Sequence, residues 1–258
     1  MVYQSFLLFH LPVNQLLAGF VLCGSVCSYN FHWYLTPPAM ATLSLKLKWN
    51  VSNKAVHLLL FVAGLAGAGY FAFRLIAFWP WLLITVCITF LYSAPKIPNP
   101  AVNILKKVAV GKTIYLALVW AHITALLPLA LSVENMQSQH WLFFINRFFL
   151  IYAICIMFDY RDVDEDRKAG IKSLITFLTN RSVDKLFWTT GIIFLISSLL
   201  LLKYFSMLTV ICLTLPAVAV CLLYSDAKQS KSDYLYYFVL DGLMMLSFPL
   251  LLLAKFAG

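Results

Sequence analysis

Residues 140–174 have the sequence HWLFFINRFFLIYAICIMFDYRDVDEDRKAGIKSL, an apolar run that ends in a cluster of acidic and then basic side chains. The apolar part, about residues 140–158, is close to the ~20 residues that a helix needs to cross a bilayer. Further apolar runs of similar length occur on both sides of it. The pattern therefore predicts a chain that crosses a membrane several times.

Composition supports the same conclusion. Hydrophobic residues make up 62% of the 258 residues and charged residues 11%, against roughly 25% charged residues in a typical soluble domain. A soluble fold could not bury so much apolar surface, which excludes a soluble enzyme, a nucleic-acid-binding module and a secreted disulfide scaffold. The net charge of +9 arises from basic residues between the apolar runs, where they anchor loops beside the lipid bilayer rather than bind nucleic acid.

The apolar runs predict an all-α, polytopic transmembrane bundle of about eight helices. We expect it to form a single transmembrane domain over residues 1–258. The predicted spans are about residues 6–28, 55–74, 77–94, 111–132, 140–158, 184–202, 205–224 and 234–256.

The basic residues predict the orientation of these spans. The connectors 29–54, 95–110, 159–183 and 225–233, with the adjoining helix ends, share one face and carry all but four of the 19 Lys and Arg residues. Basic residues concentrate in cytoplasmic loops. We therefore expect a multi-pass protein of the cytoplasmic (inner) membrane, with these connectors facing the cytoplasm.

Three acids at the end of the 140–158 run form a candidate metal site. Asp159, Asp162 and Asp166 have the spacing i, i+3, i+7, which places them within about 60° of one another on a helix. Carboxylates that lie together repel one another, so a cation must compensate them. Hard oxygen ligands of this kind suit Mg²⁺, which completes its coordination shell with water and phosphate oxygens.

Basic residues next to this cluster are candidate contacts for a diphosphate. Arg167 and Lys172 follow the acids directly, and Lys112 opens a span on the same face. An alternative interpretation is a solvated loop in which these acids and bases pair with one another. Lys112 has its own alternative as a helix-end anchor that extends toward the membrane surface.

The run from Asp159 to Leu174 resembles the second aspartate-rich motif of the UbiA-type intramembrane prenyltransferases, DxxDxxxD followed by a basic residue and a Gly-Lys-Ser/Thr-Leu tail. The segment Tyr92-Ser93-Ala94-Pro95-Lys96 is similar to the family's Tyr-Ser-x-Pro segment. The resemblance implies a helical membrane fold, Mg²⁺ as cofactor, an isoprenyl diphosphate as substrate and a hydrophobic or aromatic acceptor. Family members usually have nine helices, so we expect one N-terminal helix of the pattern to be lacking.

The family's first motif, Asn-x-x-x-Asp-x-x-x-Asp, corresponds here to Asn30, Tyr34 and Pro38. Only the asparagine matches, so the resemblance implies a substrate-binding role for Asn30 alone. His32 is a neutral side chain nearby, although imidazole suits Mg²⁺ poorly.

Three functions remain open at this point. The first is Mg²⁺-dependent transfer of an isoprenyl group from an allylic diphosphate to an acceptor. The second is a catalytically altered or inactive relative that binds an isoprenoid or lipid diphosphate. The third, a transporter or channel, is the least favoured because only Asp241, Arg147 and His122 are ionisable groups within the spans.

Overall fold

The computed structural model describes residues 1–36, 38, 45–93, 112–168, 174–230 and 232–257. Within these ranges all regular structure is helical, which confirms the predicted helical membrane bundle. Six helices in the described part of the chain are long and apolar enough to cross a membrane. They are Lys54–Arg74, Thr113–Ala130, Ser138–Asp164, Asn180–Leu201, Met207–Gln229 and Tyr234–Phe256.

The outward faces of these helices are apolar. Phe73, Leu222 and Phe256 expose between 74% and 85% of their surface. Side chains of this kind face water in few soluble proteins, and in a membrane they contact lipid. The protein is therefore an integral membrane protein.

The chain divides into two compact units. The large unit comprises Met1–Val13 and Val110–Gly258, and the small unit comprises Asn14–Ala109. A single transmembrane domain over residues 1–258 stays a prediction.

The large unit is built around one long helix. Its helices are α1 (Val2–Leu8), α6 (Lys112–Ala121), α7 (Leu127–Ala130), α8 (Ser138–Lys168), α9 (Leu174–Phe177), α10 (Asn180–Leu201), α11 (Met207–Gln229) and α12 (Asp241–Ala257), with π-helical turns at His122–Leu126 and Tyr234–Leu240. Helix α8 contacts α6, α10, α11 and α12. Its central residues Ile151, Ile154, Ile156 and Met157 are fully buried, because neighbours cover the helix on all sides. The core of this unit therefore fixes the helix that carries the acidic motif.

The small unit is organised by a close helix pair. Its helices are α2 (Gln15–Tyr34), α3 (Leu45–Ser52), α4 (Lys54–Arg74) and α5 (Trp79–Ser93), with a 3₁₀ turn at Ile76–Phe78. Helices α2 and α4 approach each other closely at Gly64, where a Cβ atom would lie 2.6 Å from the backbone nitrogen of Cys27. Only glycine permits this approach, a common feature of helix pairs in membranes.

The predicted first span is wrong. Instead of one helix over residues 6–28, the chain forms α1 and α2 with a break between them. Pro12, which has no backbone N–H to donate to a helix, lies in that break, and His10 adopts a left-handed backbone conformation with φ of 54°. The Asn14 side chain then accepts a hydrogen bond from the Leu17 amide at 3.0 Å and starts α2.

The Ile76–Tyr92 segment is apolar and helical, close to the predicted span over residues 77–94, and this described range of the chain ends at Ser93. One other boundary differs from the prediction. Helix α8 extends to Lys168 instead of ending near residue 158. The extension matters for function, because it makes Asp159, Asp162 and Asp166 part of one continuous helix.

Candidate functional site

Asp159 is a buried carboxylate at the end of the apolar part of α8. Its side chain is 7% exposed, and its Oδ2 accepts a hydrogen bond from the hydroxyl of Thr113 at 2.6 Å. Thr113 is itself buried near the start of α6. A short hydrogen bond from a hydroxyl to a carboxylate is typical of an ionised acceptor. The contact fixes the orientation of Asp159 and joins α6 to α8 at the motif.

Asp162 lies one turn further along α8 and is held by its neighbour Arg161. The Nε of Arg161 donates to Oδ1 at 2.7 Å and its Nη2 donates to Oδ2 at 3.2 Å. The side chain of Asp162 is 31% exposed, whereas that of Arg161 is 13% exposed. Both oxygens of Asp162 are therefore engaged by one guanidinium, in the two-bond geometry that arginine forms with carboxylates.

The other predicted site residues of the large unit are placed only in part. Asp166 continues α8, with its side chain outside the described residues, and Arg167 is exposed on the same helix. Lys112 begins α6 directly before Thr113, so its backbone lies next to the residue that contacts Asp159; its side chain is outside the described residues. Lys172 falls outside the described residues altogether.

A second polar network lies beside the motif. Asp184 Oδ1 accepts hydrogen bonds from the Tyr224 hydroxyl and the Lys228 ammonium, each at 2.6 Å, and from the Tyr160 hydroxyl at 3.4 Å. Tyr160 belongs to the motif itself, so the network joins α8 to α10 and α11 at this end of the large unit. The ring of Phe187 stacks on that of Tyr224 at 3.7 Å between centroids.

Sequence reasoning missed Thr113, Arg161 and this network around Asp184. Thr113 was visible only as the neighbour of Lys112, and Arg161 only as a spacer residue between Asp159 and Asp162. Nothing in the local sequence around Asp184 points to Tyr224 or Lys228, which are 40 and 44 residues away. These contacts arise from helix packing, not from a sequence pattern.

Asn30 lies in the small unit, near the end of α2, and both polar atoms of its side-chain amide make contacts there. Its Nδ2 donates to the Val26 carbonyl at 2.8 Å, and its Oδ1 lies 2.9 Å from Nδ1 of the buried His57. The Nε2 of His57 lies 3.3 Å from Oδ1 of Asn50. The one matching residue of the first motif is therefore held by a backbone carbonyl and by a histidine, which in turn contacts a second asparagine, and these described contacts include no carboxylate.

The neighbours of Asn30 in the first motif have other contacts. The ring of His32 stacks on Tyr92 with centroids 5.3 Å apart. The Lys54 ammonium lies 5.8 Å above the ring of Tyr34. Pro38 is exposed. None of these described contacts involves a side chain that suits Mg²⁺.

The carboxylates of the second motif fit Mg²⁺ by their chemistry. Asp159 and Asp162 supply hard oxygen donors one helical turn apart, and Mg²⁺ commonly uses one or two carboxylates together with substrate phosphates and water. Among the described side chains, no group of three or more His, Cys, Asp or Glu residues is close enough to form a metal site alone. Asp166 would be the third carboxylate, and its side chain lies outside those described.

Comparison with known proteins gives a single finding that bears on this geometry. The UbiA prenyltransferase family matches residues 48–247, which is more than half of the chain and includes α8 with its acidic motif. No significant match was found among curated proteins or among solved structures. The match confirms the resemblance drawn from the residues around Asp159, and the chain belongs to the UbiA prenyltransferase family.

Proposed function

We propose that this protein transfers an isoprenyl group from an allylic diphosphate to a hydrophobic or aromatic acceptor within the membrane, in a Mg²⁺-dependent reaction. The UbiA family consists of intramembrane prenyltransferases, which supports prenyl transfer in general terms. The observation that carries the proposal is the pair of carboxylates, Asp159 and Asp162, fixed one turn apart where a membrane-spanning helix leaves its apolar stretch.

In this proposal Asp159, Asp162 and Asp166 hold the metal. Bound there, Mg²⁺ would stabilise the negative charge that develops on the departing diphosphate. Thr113 keeps one Asp159 oxygen in place by its 2.6 Å hydrogen bond, so this ligand needs little reorganisation.

Cationic and amide side chains would contact the diphosphate. Arg167 and Lys172 follow the motif, and Lys112 starts the helix that carries Thr113. Asn30 is proposed as a further substrate contact. Positive charge beside the metal lowers the cost of releasing a highly charged leaving group.

The membrane location suits a substrate with a long apolar tail, because each buried CH₂ contributes about 0.8 kcal/mol to membrane binding. We propose that the motif end of α8 faces the cytoplasm and that the protein resides in the cytoplasmic (inner) membrane. The concentration of Lys and Arg in the connectors at that end supports this orientation. Modification of single introduced cysteines with a membrane-impermeant reagent would test it.

The test of the activity uses purified protein with Mg²⁺, radiolabelled geranyl or farnesyl diphosphate and a panel of phenolic and quinone-precursor acceptors. We expect diphosphate release that falls to background in Asp162→Ala. Asp164→Ala is the matched control, because Asp164 is an exposed residue of the same helix, and its position in the sequence places it on a different side of that helix from Asp159, Asp162 and Asp166. Equal loss in both variants would contradict the assigned roles.

One observation favours a second function, binding of an isoprenoid or lipid diphosphate without turnover. The first motif keeps only Asn30, and its amide is already engaged by His57 and the Val26 carbonyl. A protein with this first motif would lack the two aspartates that the family's first motif adds to those of the second motif. Saturable diphosphate binding that is abolished by Asp162→Ala, with no product from any acceptor, would support it.

A further inference from the structure

We propose that Arg161 couples the binding of the metal to the binding of the diphosphate. In the structure it is the counter-ion of Asp162, and with both ligands bound it becomes a contact of the diphosphate oxygens. This inference rests on the proposed function, because it takes Asp162 as a metal ligand. It adds a residue that neither the sequence motif nor the family match assigns to the site.

The carboxylate of Asp162 is already occupied by Arg161. Arg161 engages both of its oxygens, at 2.7 and 3.2 Å, with its Nε and Nη2 groups. A divalent cation at Asp162 would have to share this carboxylate with a guanidinium a few ångströms away. Two positive groups that share one carboxylate repel each other, so Arg161 disfavours metal binding when no other anion is present.

Three aromatic rings surround the guanidinium of Arg161. Its carbon atom lies 4.3 Å from the ring centroid of Tyr237, 4.9 Å from that of Phe158 and 5.3 Å from that of Tyr236. Aromatic faces attract a cation, and three of them restrict where the side chain can move. Arg161 therefore remains beside Asp162 whether or not the carboxylate binds it.

One nitrogen of the Arg161 guanidinium is a donor that is not used within the part of the chain that the structure describes. Nη1 of Arg161 is buried and has no hydrogen-bond partner among the described residues, although its side chain is 13% exposed. A buried donor without an acceptor is unfavourable, and a guanidinium next to an aromatic surface readily donates hydrogen bonds to phosphate oxygens. A diphosphate bound to a metal on Asp159 and Asp162 would bring such oxygens to Arg161.

Coupling between metal binding and diphosphate binding follows from these three features of Arg161. Without diphosphate, Arg161 opposes the metal at Asp162; with diphosphate, it contributes a favourable contact. The metal and the diphosphate should each increase the affinity of the protein for the other, and linkage requires the two effects to be equal.

The experiment measures binding to the purified full chain without turnover. Mn²⁺ serves as a spectroscopic substitute for Mg²⁺ and is titrated by electron paramagnetic resonance. Inorganic pyrophosphate is then titrated at a fixed concentration of free Mn²⁺. We expect Arg161→Gln to bind Mn²⁺ alone about tenfold more tightly and pyrophosphate about tenfold more weakly, the size of one charge-assisted hydrogen bond.

Two further variants separate this role from a structural one. Arg181→Gln removes the same charge from an exposed position at the start of α10 and should change neither affinity more than about twofold, because exposed charges are screened. Arg161→Lys keeps the charge without the two-bond geometry, so Mn²⁺ binding should stay near that of the wild type while pyrophosphate binding weakens. This variant carries the test if Arg161→Gln does not fold.

Opposite shifts in the two affinities support the proposal. If Arg161→Gln weakens both affinities or changes neither, or if Arg161→Lys binds pyrophosphate as the wild type does, Arg161 does not couple the ligands. If the wild-type protein binds neither Mn²⁺ nor pyrophosphate, the proposed function itself fails.

Discussion

The hydrogen bond from Thr113 to Asp159 gives the sharpest prediction for stability. Replacing Thr113 with valine keeps the shape and the β-branching of the side chain but removes the hydroxyl that donates at 2.6 Å. Both partners are buried, at 3% and 7% exposure, so water cannot easily replace the lost donor. Hydrogen bonds to charged groups contribute about 1.5–3 kcal/mol, and we expect Thr113→Val to lower the free energy of unfolding by this amount.

Thr124 provides a matched control. It follows in the π-helical turn directly after α6, is similarly buried at 5% exposure, and its hydroxyl donates only to the carbonyl of Trp120 within the same helix. Such internal bonds add little stability, so Thr124→Val should cost less than about 1 kcal/mol. Thr113→Ser, which keeps the hydroxyl, should recover part of the loss.

The assay is reversible unfolding in mixed micelles, followed by circular dichroism as the fraction of denaturing detergent increases. The difference between the two valine variants is the quantity of interest, because it cancels effects common to both substitutions. If Thr113→Val and Thr124→Val unfold within about 0.5 kcal/mol of each other, the hydrogen bond does not fix Asp159 as we describe.

Three other predictions use the same unfolding assay. The Asp184–Lys228 pair is about one-third exposed, so water weakens the attraction between its charges. A double-mutant cycle of Asp184→Asn with Lys228→Gln should therefore give a coupling energy of only about 1 kcal/mol, and a value above about 3 kcal/mol would refute this account. Arg147 is fully buried and donates to a backbone carbonyl and a serine hydroxyl of α12. Arg147→Ala should cost about 2–5 kcal/mol because it opens a cavity and leaves both acceptors without this donor, and a cost below about 1 kcal/mol would contradict its burial. Gly64→Ala should cost about 1–3 kcal/mol, because the new Cβ atom would meet the backbone of α2. At Gly69, on the same helix, a Cβ atom would meet nothing within 4 Å, so Gly69→Ala should be neutral or stabilising. Equal effects of the two substitutions would contradict the close approach of the helices.

Much of the architecture could be predicted from the sequence. Runs of about 20 apolar residues determine where helices cross a membrane, since the bilayer allows few other structures there. The motif spacing correctly indicated that Asp159, Asp162 and Asp166 share one helix, and α8 does continue through all three. The first span was mispredicted because hydropathy does not detect a local break, whereas Pro12 and the Asn14 cap decide where backbone hydrogen bonds can form.

The sequence alone therefore determined the membrane location, most of the helices and the family, because all three are encoded in residues close together along the chain. Tertiary structure alone decided which groups contact the motif carboxylates across helices: Thr113 reaches Asp159 over 46 residues, and Tyr236 and Tyr237 reach Arg161 from the far end of the chain. Such pairs depend on how helices pack against one another. Many arrangements of side chains satisfy the same apolar pattern, so only the packed structure selects among them.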